Sequence, residues 1–178
     1  MLGGWNQSIL VLQNNMNAIS IITFRVGNQH LALPIDKVRE IIRNTPLVQA
    51  PNWTGLLHGI INIRGSVIPV LDMRLVLGEK AEQTRKSRII IVEMLDRAAG
   101  IVVDNVDDIV PLTSEQLIPL SSISWDKKAA VLAGVAKIEE QMYLVIDIDR
   151  LIREEEQKLF RELCLNLGTK EPEIAVTR

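Results

Sequence analysis

The sequence predicts an all-β fold with a minor α share: a small five-stranded β-barrel made twice, then one C-terminal helix. Three observations carry this. Short Ile- and Val-rich runs alternate with Gly-, Asn- and Asp-bearing turns, as hairpins require. The chain resembles itself across its two halves. After Asp147 the apolar spacing changes from strand to helix.

The leading segment, 1–18, has no basic n-region and only four apolar residues in a row, Ile9 to Leu12. That is too few for a signal peptide or a membrane span, so a mobile tail is expected, with Met16 a candidate start. Strands follow at roughly Ser20 to Val26, Gln29 to Ile35, Val38 to Arg43, Leu57 to Ile63 and Ser66 to Leu71. In the third, Val38 and Ile41 are three apart and fit one helical turn equally well. "TFRVGNQHLALPIDKVREII" from Thr23 aligns with "IVEMLDRAAGIVVDNVDDIV" from Ile91, an offset of 91 − 23 = 68. "LLHGIINIRGSVIPVLDMRLVL" from Leu56 aligns with "VLAGVAKIEEQMYLVIDIDRLI" from Val131, an offset of 131 − 56 = 75. The difference, 75 − 68 = 7, places an insertion between Leu112 and Ala130, in a polar, turn-rich stretch that reads as a loop.

The repeat sets the domain expectation: barrel one at about 20–78 and barrel two at about 88–148, in one domain of 19–153. A unit of about 60 residues alone buries only about 60% of its unfolded surface, so the two should share an apolar core. Asp72 and Asp147 are placed to cap short helices. Ile152, Leu159, Leu163 and Leu167 mark a C-terminal helix within 149–168, with Gly168 as its stop and Cys164 on its apolar side. Residues 169–178 read as a frayed tail.

Composition narrows the function. A net charge of −2 and 3% aromatics disfavour a nucleic-acid partner, which needs a basic face or stacking rings. One cysteine allows no internal disulfide and no thiolate metal cage, and suits a reducing cytoplasm. His30 and His58 have no second ligand at metal spacing and read as solvated or packed imidazoles. Asp36, Asp72, Asp104 and Asp147 recur with the repeat, as turn and cap residues do; a catalytic set is usually singular. Trp53 and Trp125 lie in the two matching inter-strand loops, as packed anchors or as partner-facing contacts. Arg64 breaks the repeat, falling on Glu139. It sits at a hairpin turn whose positive φ Gly65 supplies. It is either a solvated tip or the partner of Glu40 in the same half.

"KVREIIR", "GIINIRGSVIPVLDMR", "AAGIVVDNVDDIV", "TSEQLIP" and "YLVIDIDRLI", in this order and spacing, resemble the CheW family of bacterial chemotaxis coupling proteins. The resemblance runs from about Ile19 to Arg153. It implies two five-stranded SH3-like barrels around a shared core, in agreement with the repeat. It also implies a cytoplasmic adaptor rather than an enzyme, with no cofactor, metal or membrane insertion. Its partners would be the regulatory domain of a CheA-type histidine kinase and the cytoplasmic tip of chemoreceptors. Positions matching Val38, Glu40, Gly59 and Arg64 affect that coupling in such proteins, and Gly65 holds the Arg64 turn. Ile123 and Trp125, apolar residues in the polar insertion, fall where resembling proteins make ring-forming contacts with the kinase. The leading tail and the long final helix leave a parallel chemosensory pathway, such as surface motility, as the alternative. A barrel enzyme using Asp72 or Asp147 is the distant one.

Overall fold

The computed structural model describes residues 18–49, 57–78, 84–119, 131–152 and 154–168. The strands are β1 (Ile19–Val26), β2 (Gln29–Pro34), β3 (Val38–Arg43), β4 (Leu57–Ile63), β5 (Ser66–Asp72), β6 (Arg88–Met94), β7 (Arg97–Val103), β8 (Asn105–Leu112), β9 (Leu117–Pro119), β10 (Leu132–Ile138) and β11 (Gln141–Ile146). Helix α1 (Met73–Val76) follows β5, and α2 (Glu154–Asn166) ends the described chain. The expected strands are all present, and the ambiguous third is a strand. Its alternating exposure over Val38–Arg43 has the period of a pleated sheet with one wet face.

Tight antiparallel hairpins join β1 to β2, β4 to β5, β6 to β7 and β10 to β11. They assemble into two sheets, in the orders β8-β1-β2-β11-β10-β9 and β3-β6-β7-β5-β4. One compact unit holds β1, β2 and β8 to β11; the other holds β3 to β7 and α2. The expected contiguous barrels, about 20–78 and about 88–148, are therefore not the units of the structure. Each unit takes the first hairpin of one repeat and the later strands of the other. A repeat reports which strands are alike, whereas hydrogen bonding reports which are neighbours, and an exchanged hairpin separates the two.

The exchange is reciprocal. Val70 pairs with Gly100 in parallel across β5 and β7. Shifting by the two offsets, 70 + 75 = 145 and 100 − 68 = 32, gives Val145 and Ala32, which pair in parallel across β11 and β2.

Each sheet closes on itself by the same device. Beyond β3 the chain returns to β4, where Val48 and Ile60 exchange backbone hydrogen bonds of 3.0 Å in both directions. Beyond β8, a 3₁₀ turn at Ser114–Gln116 leads into β9, whose Ile118 pairs with Val135 of β10. Ile60 and Val135 are repeat-mates, and the described part of the expected insertion loop, Thr113–Pro119, is a 3₁₀ turn and a strand. Two of its seven extra residues precede Ile118, since 118 − 48 = 70, and five follow it. The closing segment makes a sixth strand in one sheet because the capping box of Thr113 and Gln116 turns the chain first.

Each unit fills its own interior. Ile21, Ala32, Leu112, Leu117, Ala133, Ala136 and Val145 pack in one, and Ile61, Ile68, Val70, Ile89, Ile91, Ala98 and Val102 in the other. Asp147 caps only a 3₁₀ turn, Ile148–Arg150, and the final helix begins later than expected, at Glu154. Its buried face is Phe160, Leu163 and Cys164, with Leu159 exposed rather than buried as the spacing suggested. Phe160 centres that face, with Leu163 about 60° to one side and Cys164 about 40° to the other, whereas Leu159 lies about 100° from Phe160 and turns off it. Gly168, at φ 67°, ends it as expected.

Candidate partner-binding site

The β4–β5 hairpin turns on Arg64 and Gly65, flanked by the register pair Ile63 and Ser66. Both turn residues have positive φ, 52° and 85°. That is the two-residue geometry whose twist matches its strands. Asn62 Oδ1 accepts from the Gly65 amide at 3.0 Å and fixes the turn. Glycine takes such a φ freely, whereas an arginine pays about 1 kcal/mol for it. The Arg64 guanidinium reaches back to β3 and donates to Glu40 Oε2 at 3.1 Å. Its side chain remains 83% exposed. Of the two readings the sequence left open, the pair is the one present.

Gly59 lies five residues back along β4, roughly 17 Å away at strand rise, and so is not part of this pair. Its reason is steric. A Cβ there would meet Leu47 Cβ and the Val48 carbonyl, each at 2.9 Å. Gly134, its repeat-mate, faces the same obstacle in the Ile118 carbonyl at 2.8 Å. Both glycines admit the segment that closes the sheet. Val38 stands at the start of β3, just after a 3₁₀ turn, its amide bonded to the Ile35 carbonyl. Ile123, Trp125 and Trp53 lie outside the described residues.

Four exposed apolar residues escaped the sequence reading. Ile41 on β3 is 40% exposed and Val48 65%; Ile109 on β8 is 53% exposed and Ile118 on β9 38%. Ile41 and Ile109 are repeat-mates, 109 − 41 = 68, and Val48 and Ile118 occupy matching closing positions. Each unit thus shows water the same two apolar side chains. The signal lay in the repeat, but only strand pairing reveals which face of each strand is wet.

A family model, the CheW-like domain, matches residues 20–156. The probable chemotaxis protein CheW of Rhizobium etli is 33% identical over 152 residues, 85% of this chain and 98% of that protein. Protein PilI of Pseudomonas aeruginosa is 33% identical over 115 residues, 62% of this chain and 65% of that protein. Among solved structures, the scaffolding protein TtCheW from Thermoanaerobacter tengcongensis aligns with a TM-score of 0.71 and 30% identity, over 77% of this chain and 94% of that one. The chain belongs to the CheW-like family.

Within this CheW-like domain the repeated aspartates serve the frame. Asp104 accepts from the Gly27 amide at 2.6 Å and secures the β1–β2 turn. Asp72 caps α1 through the Arg74 amide at 3.0 Å, and the Arg74 guanidinium grips both its oxygens at 2.8 and 2.6 Å. Both side chains are buried, so this carboxylate is neutralised in place. His58 Nδ1 stands 3.8 Å from the same carboxylate. Asp147 caps its turn through the Asp149 amide at 3.2 Å and meets Arg150 at 3.2 Å. Its partner is half-exposed and its grip looser. Burial pushes the Asp147 carboxyl up from its ordinary 3.8, against the lowering pull of Arg150. His30 packs edge-on against Tyr143, ring centroids 5.8 Å apart, as one of the packed imidazoles the sequence allowed. Cys164 is buried on the inner face of α2, as a small hydrophobe would be.

Proposed function

We propose that this protein is a cytoplasmic adaptor that couples chemoreceptors to a CheA-type histidine kinase, with no reaction of its own. The observation that carries the reading is the duplicated pair of exposed apolar side chains, Ile41 with Val48 in one unit and Ile109 with Ile118 in the other. A chain that exposes matching apolar side chains in each of its two units is suited to bridging proteins rather than to acting on a small molecule. Among the described residues the Arg64–Glu40 pair has no counterpart in the other unit, so the two units can present themselves differently to two partners. Receptor tip and kinase regulatory domain are those partners, with Glu40, Arg64 and Gly65 as the coupling site and Val38, Ile123 and Trp125 as further contact residues whose substitution should lower activation. Gly59 supports it by admitting the segment that carries Val48.

The test is reconstitution of receptor-dependent kinase activity with Ile41→Ser and Ile109→Ser. Each should fold as the wild type and lower activation; full activation by both would end the reading that these exposed side chains meet partners. Similarity to Protein PilI favours a second setting for the same activity, a chemosensory pathway parallel to flagellar chemotaxis. Identifying the kinase retained by the purified protein from its native cell separates the two settings.

A further inference from the structure

Arg25, Arg39 and Arg64 each hold an acid of this chain: Asp107, Glu93 and Glu40, at 3.2, 3.2 and 3.1 Å. At one corner of the β3–β6 pair the pattern changes. Arg43, at the end of β3, and Arg85 and Lys86, in the turn before β6, are exposed and make no ion pair among the described residues. The two segments lie side by side, with the Asn44 amide donating to the Ser87 carbonyl at 3.3 Å.

The turn is built rather than slack. Ser87 N–H donates to the Thr84 carbonyl at 3.1 Å, and Thr84 N–H donates to Ser87 Oγ at 3.0 Å. Arg88 Nη1 donates to the carbonyls of Arg85, Lys86 and Ser87 at 3.3, 2.9 and 3.0 Å. One guanidinium is thus used inward to set the backbone that presents Arg85 and Lys86 outward, which lowers the ordering cost of binding there. The corner has no counterpart in the other unit, because the repeat-mate of Arg43 is Pro111.

We propose that this corner, Arg43 with Arg85 and Lys86, docks an acidic segment of a protein partner, separately from the coupling site at Arg64. The chemistry favours that occupant over three others. The cations are exposed and spread over two segments, so several carboxylates in a row can engage them together where a single small anion cannot. No aromatic ring stands in the described corner to stack a nucleobase. Three cations with no large apolar neighbour in the turn fall short of the four to eight that hold a protein to an anionic membrane.

The experiment uses the full chain, isotope-labelled, titrated with a hexaglutamate peptide and in parallel with inorganic phosphate, a hexathymidine oligonucleotide and phosphatidylglycerol vesicles. Amide shifts should concentrate in residues 43–45 and 84–88, and the peptide's affinity should fall severalfold between 50 and 200 mM salt. Arg85→Glu with Lys86→Glu should weaken it at least about fivefold while thermal melting is unchanged. Arg85→Gln with Lys86→Gln repeats the comparison without adding charge. Shifts scattered over Arg97, Lys137 and Lys158, or affinity untouched by both double variants, overturn the proposal. So does a corner that answers to phosphate, oligonucleotide or vesicles as strongly as to the peptide.

Discussion

Arg64→Gly should separate folding from coupling. In the folded chain the substitution removes one ion pair, Arg64 to Glu40, whose arginine is 83% exposed. Such a pair is screened and contributes at most about 0.5 kcal/mol. Against that, the residue sits at φ 52°, where a β-carbon costs about 1 kcal/mol that glycine does not. A second glycine also loosens the unfolded chain, by up to about 1 kcal/mol. The three terms nearly cancel, so the melting temperature should move by no more than about 4 °C for a chain of this size. Arg64→Asn keeps a residue suited to that φ with less unfolded-state cost and should melt at or slightly above the wild type. Coupling behaves differently, because at an interface the same guanidinium can be desolvated and bonded in two places. Its loss there costs on the order of 2 kcal/mol, about thirtyfold in affinity. The assays are calorimetry on the purified variants and receptor-dependent kinase activation in a reconstituted mixture. Wild-type activation by both variants would reduce Arg64 to a solvated turn. A collapse in melting temperature would refute the strain argument instead.

Gly65→Val, with a β-branched residue forced to φ 85°, should damage folding first, visible as a lowered melting temperature with coupling lost in proportion. Gly59→Ala and Gly134→Ala should destabilise to a similar degree, about 1–3 kcal/mol each, because either Cβ drives against a backbone carbonyl; a stable Gly59→Ala that still fails to couple would restore a direct contact role. The raised Asp147 carboxyl binds its proton more tightly when folded, so its contribution to stability falls as pH rises from the ordinary 3.8 through the raised value and stays low above it; Asp147→Asn, which keeps a cap, should flatten the denaturation midpoint in that window, and an unchanged profile would contradict it. A fragment ending near Glu79 holds the β1–β2 hairpin without β8 and β11, and β3 to β5 without β6 and β7, so its NMR spectrum should lack dispersion while addition of the complementary fragment restores it.

Element identity was legible because period-2 apolar runs and their turn residues are local, and the structure keeps the expected strands to within a residue. The grouping of strands into units was not legible, because likeness between Ile21 and Ile89 says nothing of which hairpin β8 will pair with. The strand within the Leu112–Ala130 insertion was hidden for the same reason: β9 is three residues long and exists through its pairing with β10. At the site, Glu40 and Arg64 could be paired on paper from opposite charge in one half. Arg74 could not be, since a basic residue two places after a capping aspartate reads as a solvated helix charge. Here it turns back and is buried against it.

Comparison of repeat-mates gives a physical criterion for which residues the frame requires. Gly59 and Gly134 face the same carbonyl obstacle, and Asp72 and Asp147 cap the same turn, so fold alone accounts for them. Arg64 and Glu139 share a left-handed backbone, φ 52° and 53°, and yet carry opposite charges. The turn therefore dictates the conformation at that position and leaves the side chain unspecified. A residue better suited to that conformation, asparagine or glycine, would serve the turn in either unit. Arg64 and Glu139 both carry a β-carbon at that φ, and of the two the Arg64 side chain is the one that reaches an acid of the chain, Glu40, while staying 83% exposed. The proposed coupling role would account for what the fold leaves unspecified at Arg64, and receptor-dependent activation by Arg64→Gly and Arg64→Asn is the measurement that tests it.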